Sequence, residues 1–319
     1  MSEKMTVSQT AVWLKTNDNF LLLTHRRPDG DTLGSAGALA QGLHEAGKTV
    51  FILFNPETTP RYSRFAKDHW SPEGFKPEHI IAIDTASSGM LQVNSAEYAE
   101  HITLCIDHHP SNTEYATYTC LDGERSSCGE IIYDILKEMS GYISAKTAGC
   151  LYAAVSTDTG CFVFANTTAD TLRVASNLIE DGAPHRELNR LLFRTKTLGR
   201  IKMEGMIYSG LEFYFDGQVA ISVISRRMLA TAEATEDDID DIASIPGSIE
   251  GIRVGVTIRE LTSETDCKVS VRTGTTVNAN AICALFGGGG HAMAAGYSVK
   301  ATVDDIRESL LKALKDFLP

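Results

Sequence analysis

The chain has 319 residues, 43% of them hydrophobic and 22% charged. This is ordinary globular usage with enough apolar material for a core, and it excludes disordered, collagen-like and disulfide-scaffold chains. The 29 basic and 41 acidic residues leave a formal net charge of -12, which argues against a binder of long duplex nucleic acid but not against a small phosphate substrate held by metal ions and a few arginines.

Seven cysteines are scattered without a CxxC pair. Reduced thiols in a cytoplasm fit better than disulfides or structural zinc. Mean hydropathy is -0.08, and no apolar run approaches the roughly 18 residues of a membrane span. The N-terminus lacks the apolar core of a signal peptide. A soluble cytoplasmic protein with no membrane partner is expected.

Phe20 to Thr24 reads as a buried strand. Thr32 to Ala46 has helical spacing, with Leu33, Ala36, Leu39, Ala40 and Leu43 apolar and Gly47 as a stop. Val50–Phe54, His79–Asp84 and Ile102–Asp107 read as further strands. Ser126–Met139, Ala145–Val155 and Thr168–Ile179 read as helices. Strands alternating with helices predict an α/β domain with a mostly parallel sheet. Thr195–Ser209 reads as one connecting helix. Leu211–Phe215 and Gln218–Ile224 flank Asp216-Gly217, a strong hairpin signal. Arg253–Leu261 and Cys267–Thr273 form another strand pair. Asn278–Phe286 and Ile306–Phe317 read as helices of a smaller α+β domain. The expected division is 1–193, a linker at 194–209, and 210–319. The acidic stretch 233–241 reads as a solvated loop and helix N-terminus.

Chemistry concentrates after the first strand, in His25-Arg26-Arg27-Pro28-Asp29-Gly30-Asp31. Pro28 biases Arg27 towards extended backbone. In an extended segment Asp29 and Asp31 face one site, and His25 ends a strand, where open α/β sheets place ligands. An acidic turn capping the next helix is the plainer alternative. Asp107-His108-His109 ends another strand, and Asp84 a third. Asp158 lies in Thr157-Asp158-Thr159-Gly160. Carboxylates and histidines at the ends of different elements suit Mn²⁺, with Mg²⁺, Fe²⁺, Co²⁺ and Zn²⁺ as options. Several carboxylates can bridge two ions about 3.5–4 Å apart. Late in the chain, Gly287 to Gly290 let backbone amides approach an anion, and His291 adds a donor. Arg272 and Asn278 lie upstream, at a strand end and a helix start.

These residues resemble the DHH/DHHA1 phosphoesterase family. The matching motifs are His25-x-x-Pro28-Asp29-x-Asp31 with Gly34-Ser35, then Asp84, Asp107-His108-His109, Asp158, and Gly287 to His291. The chain looks most like the stand-alone nanoRNase branch. That resemblance implies cleavage of short oligoribonucleotides to nucleoside monophosphates and dephosphorylation of 3′-phosphoadenosine 5′-phosphate (pAp) to AMP. It implies two divalent ions: one on His25, Asp29 and Asp84, the other on Asp31, Asp84, His108 and Asp158, with Asp84 bridging. Asp107 would support the motif and His109 touch the scissile phosphate. Arg272, Asn278, Gly288, Gly289, Gly290 and His291 would hold the rest of the nucleotide. A homodimer is a further expectation from the family, as is a cleft between the domains that favours short substrates. A cyclic di-AMP or pApA phosphodiesterase and a non-catalytic nucleotide sensor are the alternatives. A manganese pyrophosphatase fits the glycine–histidine loop less well, and a RecJ-type exonuclease is normally longer.

Overall fold

A computed structural model describes residues 2–239 and 241–318. Residues 1 and 319, and Asp240 within the acidic stretch, lie outside the described residues. The chain forms two compact units, Met1–Thr195 and Lys196–Pro319.

The first unit is built on six strands: β1 (Glu3–Lys4), β2 (Phe20–Leu23), β3 (Val50–Ile52), β4 (His79–Ile83), β5 (Leu104–Asp107) and β6 (Tyr118–Leu121). Their order is β1-β6-β5-β4-β2-β3, and every neighbouring pair is parallel. Successive residues point to opposite faces of a sheet. Leu22, Ile81, Ile83, Leu104 and Ile106 therefore enter one apolar core. Leu21, Leu23, Ile80, Ala82 and Cys105 enter the other. Burial on both faces explains why these strands read as continuous apolar runs.

The longer helices of this unit are α1 (Val7–Thr16), α2 (Gly30–Glu45), α3 (Cys128–Ser140), α4 (Ala145–Asp158) and α5 (Ala169–Glu180). The sequence reading misses β1, α1 and β6. Yet α1 opens with a capping box, Thr6 with Gln9, which is a readable signature. Packing of α2 on α4 depends on glycine: a Cβ at Gly34 would lie 2.6 Å from the Cys150 carbonyl oxygen and 2.9 Å from the Ala154 nitrogen.

The second unit holds α6 (Leu198–Ser209), β7 (Glu212–Tyr214), β8 (Val219–Ile224), β9 (Val254–Glu260), β10 (Asp266–Thr273), α7 (Ala279–Ala284), β11 (Gly289–Gly290), β12 (Ala294–Lys300) and α8 (Val303–Leu314). The sheet order is β11-β12-β10-β9-β8-β7. It is mixed, since β8 and β9 pair in parallel while the others run antiparallel. The expected hairpin forms, with Phe215, Asp216 and Gly217 all at positive φ. Helix α6 clusters with this unit, where Met203 and Ile207 pack with Ile224, Ala232 and Ile242. The acidic stretch is not simply solvated. Asp238 is buried, and its carboxylate accepts from the Thr235 amide at 2.7 Å and from the Thr197 hydroxyl.

Two glycine substitutions test this packing. Gly34→Ala forces α2 from α4 and is expected to destabilise by about 1–3 kcal/mol, the usual overpacking range. Gly205→Ala, at an exposed position of α6 with nothing within 4 Å of the new methyl, is expected to stabilise by about 0.5–1 kcal/mol. Urea denaturation of both variants measures the difference in sign.

Candidate metal centre

The carboxyl ends of β2, β4 and β5 carry His25, Asp84 and the Asp107-His108-His109 run. The N-terminus of α2 adds Asp29 and Asp31, and the last turn of α4 adds Asp158. The backbone around Asp29 differs from the sequence expectation. Arg27 is not extended but left-handed, at φ 50. Asp29 is the N-cap of α2, and its Oδ1 accepts from the Thr32 amide at 3.0 Å. Asp31 is already inside the helix. The pair is brought together by a cap and a first helical turn, so the capping alternative and the ligand reading describe the same residues. Gly30 is needed for closeness rather than for backbone freedom: a Cβ there would meet the Thr157 side chain at 2.4 Å.

Asp31 is buried against the start of α3. Its Oδ2 accepts from the Cys128 amide at 2.7 Å, and its Oδ1 from the Gly129 amide at 3.0 Å and the Ser35 hydroxyl at 2.9 Å. Free amides at a helix N-terminus suit an anion. Asp84 sits in left-handed backbone at φ 53. Its Oδ2 accepts from the Thr32 hydroxyl at 2.7 Å. Its Oδ1 is buried without a hydrogen-bond partner.

Both strand-end histidines present Nε2 to these carboxylates. His108 Nδ1 lies 3.2 Å from the Arg125 carbonyl oxygen. Its Nδ1–H donates there, which leaves an Nε2 lone pair 3.5 Å from Asp84 Oδ1 and 3.7 Å from both Asp31 Oδ2 and Asp158 Oδ2. His25 Nδ1 lies 2.6 Å from the Arg26 carbonyl oxygen, with Nε2 3.7 Å from Asp84 Oδ2. A carbonyl that fixes the tautomer in this way is a usual partner of a metal-ligating histidine.

His109 is placed differently. Its Nδ1 is 2.7 Å from Asp107 Oδ1, and the other Asp107 oxygen accepts from Asn112 at 2.6 Å. That bond commits Nδ1 and leaves Nε2 as the free polar end of a half-exposed ring. Burial alone would raise the Asp107 carboxyl. The bonds from His109 and Asn112 outweigh it and hold the carboxyl below its usual range. The same bond raises the His109 imidazole against the opposing effect of burial.

Burial, then neighbouring aspartates, pushes Asp31 and Asp84 well above the ordinary carboxylate range. Burial, then Asp29, pushes Asp158 up to about 7. Burial, then His109, lowers His108. The Thr32 hydroxyl faces His25 Nε2, Asp84 Oδ2 and Asp29 Oδ1 at 2.5, 2.7 and 3.1 Å, yet has one proton for three acceptors. Such a surplus of lone pairs fits a divalent cation. Three groups bring their donor atoms within 4.8 Å of one another: His25/Asp29/Asp84, Asp31/His108/Asp158 and Asp84/His108/His109.

Sequence reasoning missed Thr32, Asn112, the Arg125 carbonyl and the two α3 amides. The signal for Asn112 was its place three residues after His109. The α3 amides carried none, because they reach Asp31 across 97 and 98 positions of chain.

In the second unit, Arg272 lies opposite Ala294 in the β10–β12 register. The Ala279 amide, next to Asn278, donates to the Ala292 carbonyl at 2.7 Å. Arg272, Asn278 and His291 are thus gathered around one β-hairpin. The glycine run is not an open loop: Gly289 and Gly290 pair with Gly296 and Ala295, with His291 at the turn. A Cβ at Gly288 would lie 2.3 Å from the Gly296 oxygen. Part of the run therefore serves strand packing. Asn278 Oδ1 caps α7 through the Ala281 amide, and Asn280 Oδ1 accepts from the Gly290 amide at 2.9 Å. Asn280 was not anticipated.

The DHH family, N-terminal domain, matches residues 19–155, and the DHHA1 domain matches residues 216–318. The chain is 31% identical to the "Bifunctional oligoribonuclease and PAP phosphatase NrnA" of Thermus thermophilus, over 93% of this chain and 89% of that one. It is 30% identical to the protein of the same name from Bacillus subtilis, over 88% and 90%. An exopolyphosphatase-related protein from Bacteroides fragilis superposes with a TM-score of 0.86 at 22% identity, covering 98% of this chain and 96% of that one. Exonuclease RecJ bound to manganese shares the fold with a TM-score of 0.55 at 12% identity, over 98% and 94%.

A donor set this rich is expected to reveal itself in stability. Adding Mn²⁺ to the EDTA-treated protein is expected to raise Tm, since a ligand bound only by the folded state stabilises it by about 2.7 kcal/mol at a hundredfold excess over Kd. Asp84→Asn is expected to abolish most of that rise. Thermal scans with and without EDTA make the measurement, and equal rises in both proteins would place the ion elsewhere.

Proposed function

The chain belongs to the DHH/DHHA1 phosphoesterase family, and on that premise we propose that it is a metal-dependent phosphohydrolase that cleaves short oligoribonucleotides to nucleoside monophosphates and dephosphorylates pAp to AMP. The observation that carries this reading is the convergence of His25, Asp29, Asp31, Asp84, His108 and Asp158, in a chain 31% identical to a relative named for both activities. Two ions are proposed, and Asp84 would serve as a ligand to both. Support comes from Asp84 and His108 each belonging to two donor groups. Manganese is the preferred metal, because the donors are oxygen and imidazole without thiolate. Seven unpaired cysteines support a reducing compartment, the cytoplasm. Among the described residues no helix is long and apolar enough to cross a membrane.

Divalent ions held here would activate water and offset the charge that develops on the phosphoryl oxygens. The chain's own residues do the rest. Asp107 fixes the His109 ring and favours its protonated form, so that Nε2–H can donate to a phosphoryl oxygen. The Arg26 and Arg125 carbonyls hold His25 and His108 with their lone pairs inward. The α3 amides keep Asp31 oriented while it is ionised. Arg272, Asn278, the Gly288–Gly290 backbone and His291 are assigned to the nucleotide beyond the scissile phosphate.

The test is a panel of pAp, pApA, cyclic di-AMP and an RNA trimer, each with Mn²⁺ and with EDTA. Turnover of pAp and the trimer is expected with Mn²⁺ and none with EDTA. Turnover confined to pApA or cyclic di-AMP would overturn the substrate assignment. Asp84→Ala is expected to abolish activity, because a shared ligand disturbs both ions, whereas His291→Ala is expected to weaken substrate binding with metal content unchanged.

Length preference follows from charge. An RNA strand extending past the site meets a body of net charge -12, with repulsion screened over roughly 8–10 Å at physiological salt. Turnover per end is expected to fall from a trimer to a 24-mer, and the fall to shrink as salt rises. Values of kcat/KM for labelled RNAs at two ionic strengths measure it.

A further inference from the structure

Immediately after Asp158 the chain does something costly. Gly160, Cys161 and Phe162 are all left-handed, at φ 56, 58 and 67. Two of them carry side chains that rarely accept this conformation, and strain of this kind collects at functional sites. The turn is held firmly. The Val163 and Phe164 amides both donate to the Thr159 carbonyl, at 2.9 and 3.0 Å. Asn166 Nδ2 lies 3.1 Å from the Asp158 carbonyl oxygen and 3.2 Å from that of Ser126. Phe162 points inward, its ring centroid 6.0 Å from that of Tyr152. Phe164 does not: its side chain is 58% exposed, with Val163 beside it at 80%. A turn that packs one half-buried phenylalanine on the core and presents another to solvent, six residues past a carboxylate of the donor cluster, is suited to hold an apolar ring against something flat.

A second element reaches the same place. Residues Arg190–Arg194 form a π-helical turn, a rare conformation frequent at functional sites. Its Phe193 packs on the same core as Phe162. The residue before this turn, Asn189, donates from Nδ2 to the Tyr152 hydroxyl at 3.1 Å, and Tyr152 is the ring that faces Phe162, so both turns rest on one side chain; the Arg194 guanidinium also acts to lower the Cys161 thiol against burial. Arg194 itself is exposed, and its side chain makes no hydrogen bond or ion pair among the described residues. An aromatic face and an unpaired guanidinium on one rim match the two halves of a nucleotide.

We propose that Phe164 and Arg194 form a nucleotide subsite beside the metal centre. Phe164 stacks on the base of the nucleotide whose phosphate is cleaved, and Arg194 holds that nucleotide's other phosphate. The proposal rests on the functional reading above and names the residues that bind its substrate. For pAp, the 3′-phosphate lies at the metal centre, adenine on Phe164 and the 5′-phosphate on Arg194, which leaves the ribose of that nucleotide to the residues assigned to it from the second unit.

The test compares pAp with base-free ribose 3′,5′-bisphosphate in the Mn²⁺-loaded full chain. Stacking is worth about 1–3 kcal/mol per base, so Phe164→Ala is expected to lower kcat/KM for pAp about tenfold more than for the base-free compound, mostly through KM. Phe164→Trp is expected to restore the ratio and Phe164→Leu is not. Arg194→Ala is expected to raise KM for both compounds, with partial rescue by Arg194→Lys. Manganese content is expected to match wild type throughout. Equal losses on both compounds in Phe164→Ala would overturn the stacking role. A changed sedimentation coefficient with unchanged kinetics would overturn it too, and would assign the patch to a second copy of this chain. If wild type turns over neither pAp nor short RNA, the functional reading falls, and the subsite is tested by binding alone. In EDTA, fluorescence of Phe164→Trp is then expected to be quenched by AMP and not by ribose 5-phosphate; quenching by neither would overturn the subsite.

Discussion

Asp31 and Asp84 are buried within reach of one imidazole, and Asp158 faces the same atom from the end of another helix. Two like charges about 4 Å apart repel by roughly 4 kcal/mol at an effective dielectric near 20. A fold that keeps such groups together needs either protons or cations among them. The raised carboxyl of Asp158, up to about 7, shows the first solution. The partnerless Oδ1 of Asp84 and the inward lone pairs of His25 and His108 provide for the second. The remainder of the first unit depends on this constraint. Its strands deliver three donor side chains from their carboxyl ends, and two glycines, Gly30 and Gly34, let α2 approach α4 closely enough for Asp158 to join.

The start of α3 bears on the same balance. Two amides that would otherwise lack intrahelical partners donate to Asp31. They favour its ionised form, against burial. Gly129 is part of this device, because a Cβ there would lie 2.6 Å from the Ala154 methyl. The α2 and α3 helices thus meet the cluster with opposite chemistry at the same polarity: α2 contributes carboxylates at its N-terminus, and α3 contributes the N–H groups that stabilise one of them.

Much of this was legible in the sequence. Strands buried on both faces read as apolar runs, and the ends of β2, β4 and β5 were visible as the points where polar residues begin. His25, Asp84 and His108 fall there. The antiparallel pair β9–β10 and the Asp216-Gly217 hairpin were equally plain. What failed to show has physical reasons. Strand β1 has two residues and acquires its identity only from β6. Strand β12 begins Ala-Ala-Gly, which has little strand propensity and is extended because β10 pairs with it along seven residues. The glycine run carries no strand pattern of its own, and Gly289 and Gly290 become a strand only by pairing with β12. Asp29 and Asp31 were paired for the wrong local reason, since a cap and a helical turn bring them together where extended backbone was expected. Asp238 read as solvated because nothing in an acidic run announces that Thr197, 41 residues earlier, will bury one of its members.

The Arg125 carbonyl illustrates what spacing cannot carry. A histidine that offers a donor atom is recognisable by type and position, but its tautomer is set by whatever lies behind it. For His108 that is a backbone oxygen 17 residues on, belonging to a residue whose side chain is tied to Asp122 and Asp134 by ion pairs of 3.4 and 2.5 Å. The charged side chain anchors the loop, the loop presents the carbonyl, and the carbonyl turns the imidazole lone pair inward. Substituting the histidine would remove a donor. Loosening Arg125 would leave the donor in place and release its orientation, so metal affinity can depend on an arginine that touches no ligand atom through its own side chain.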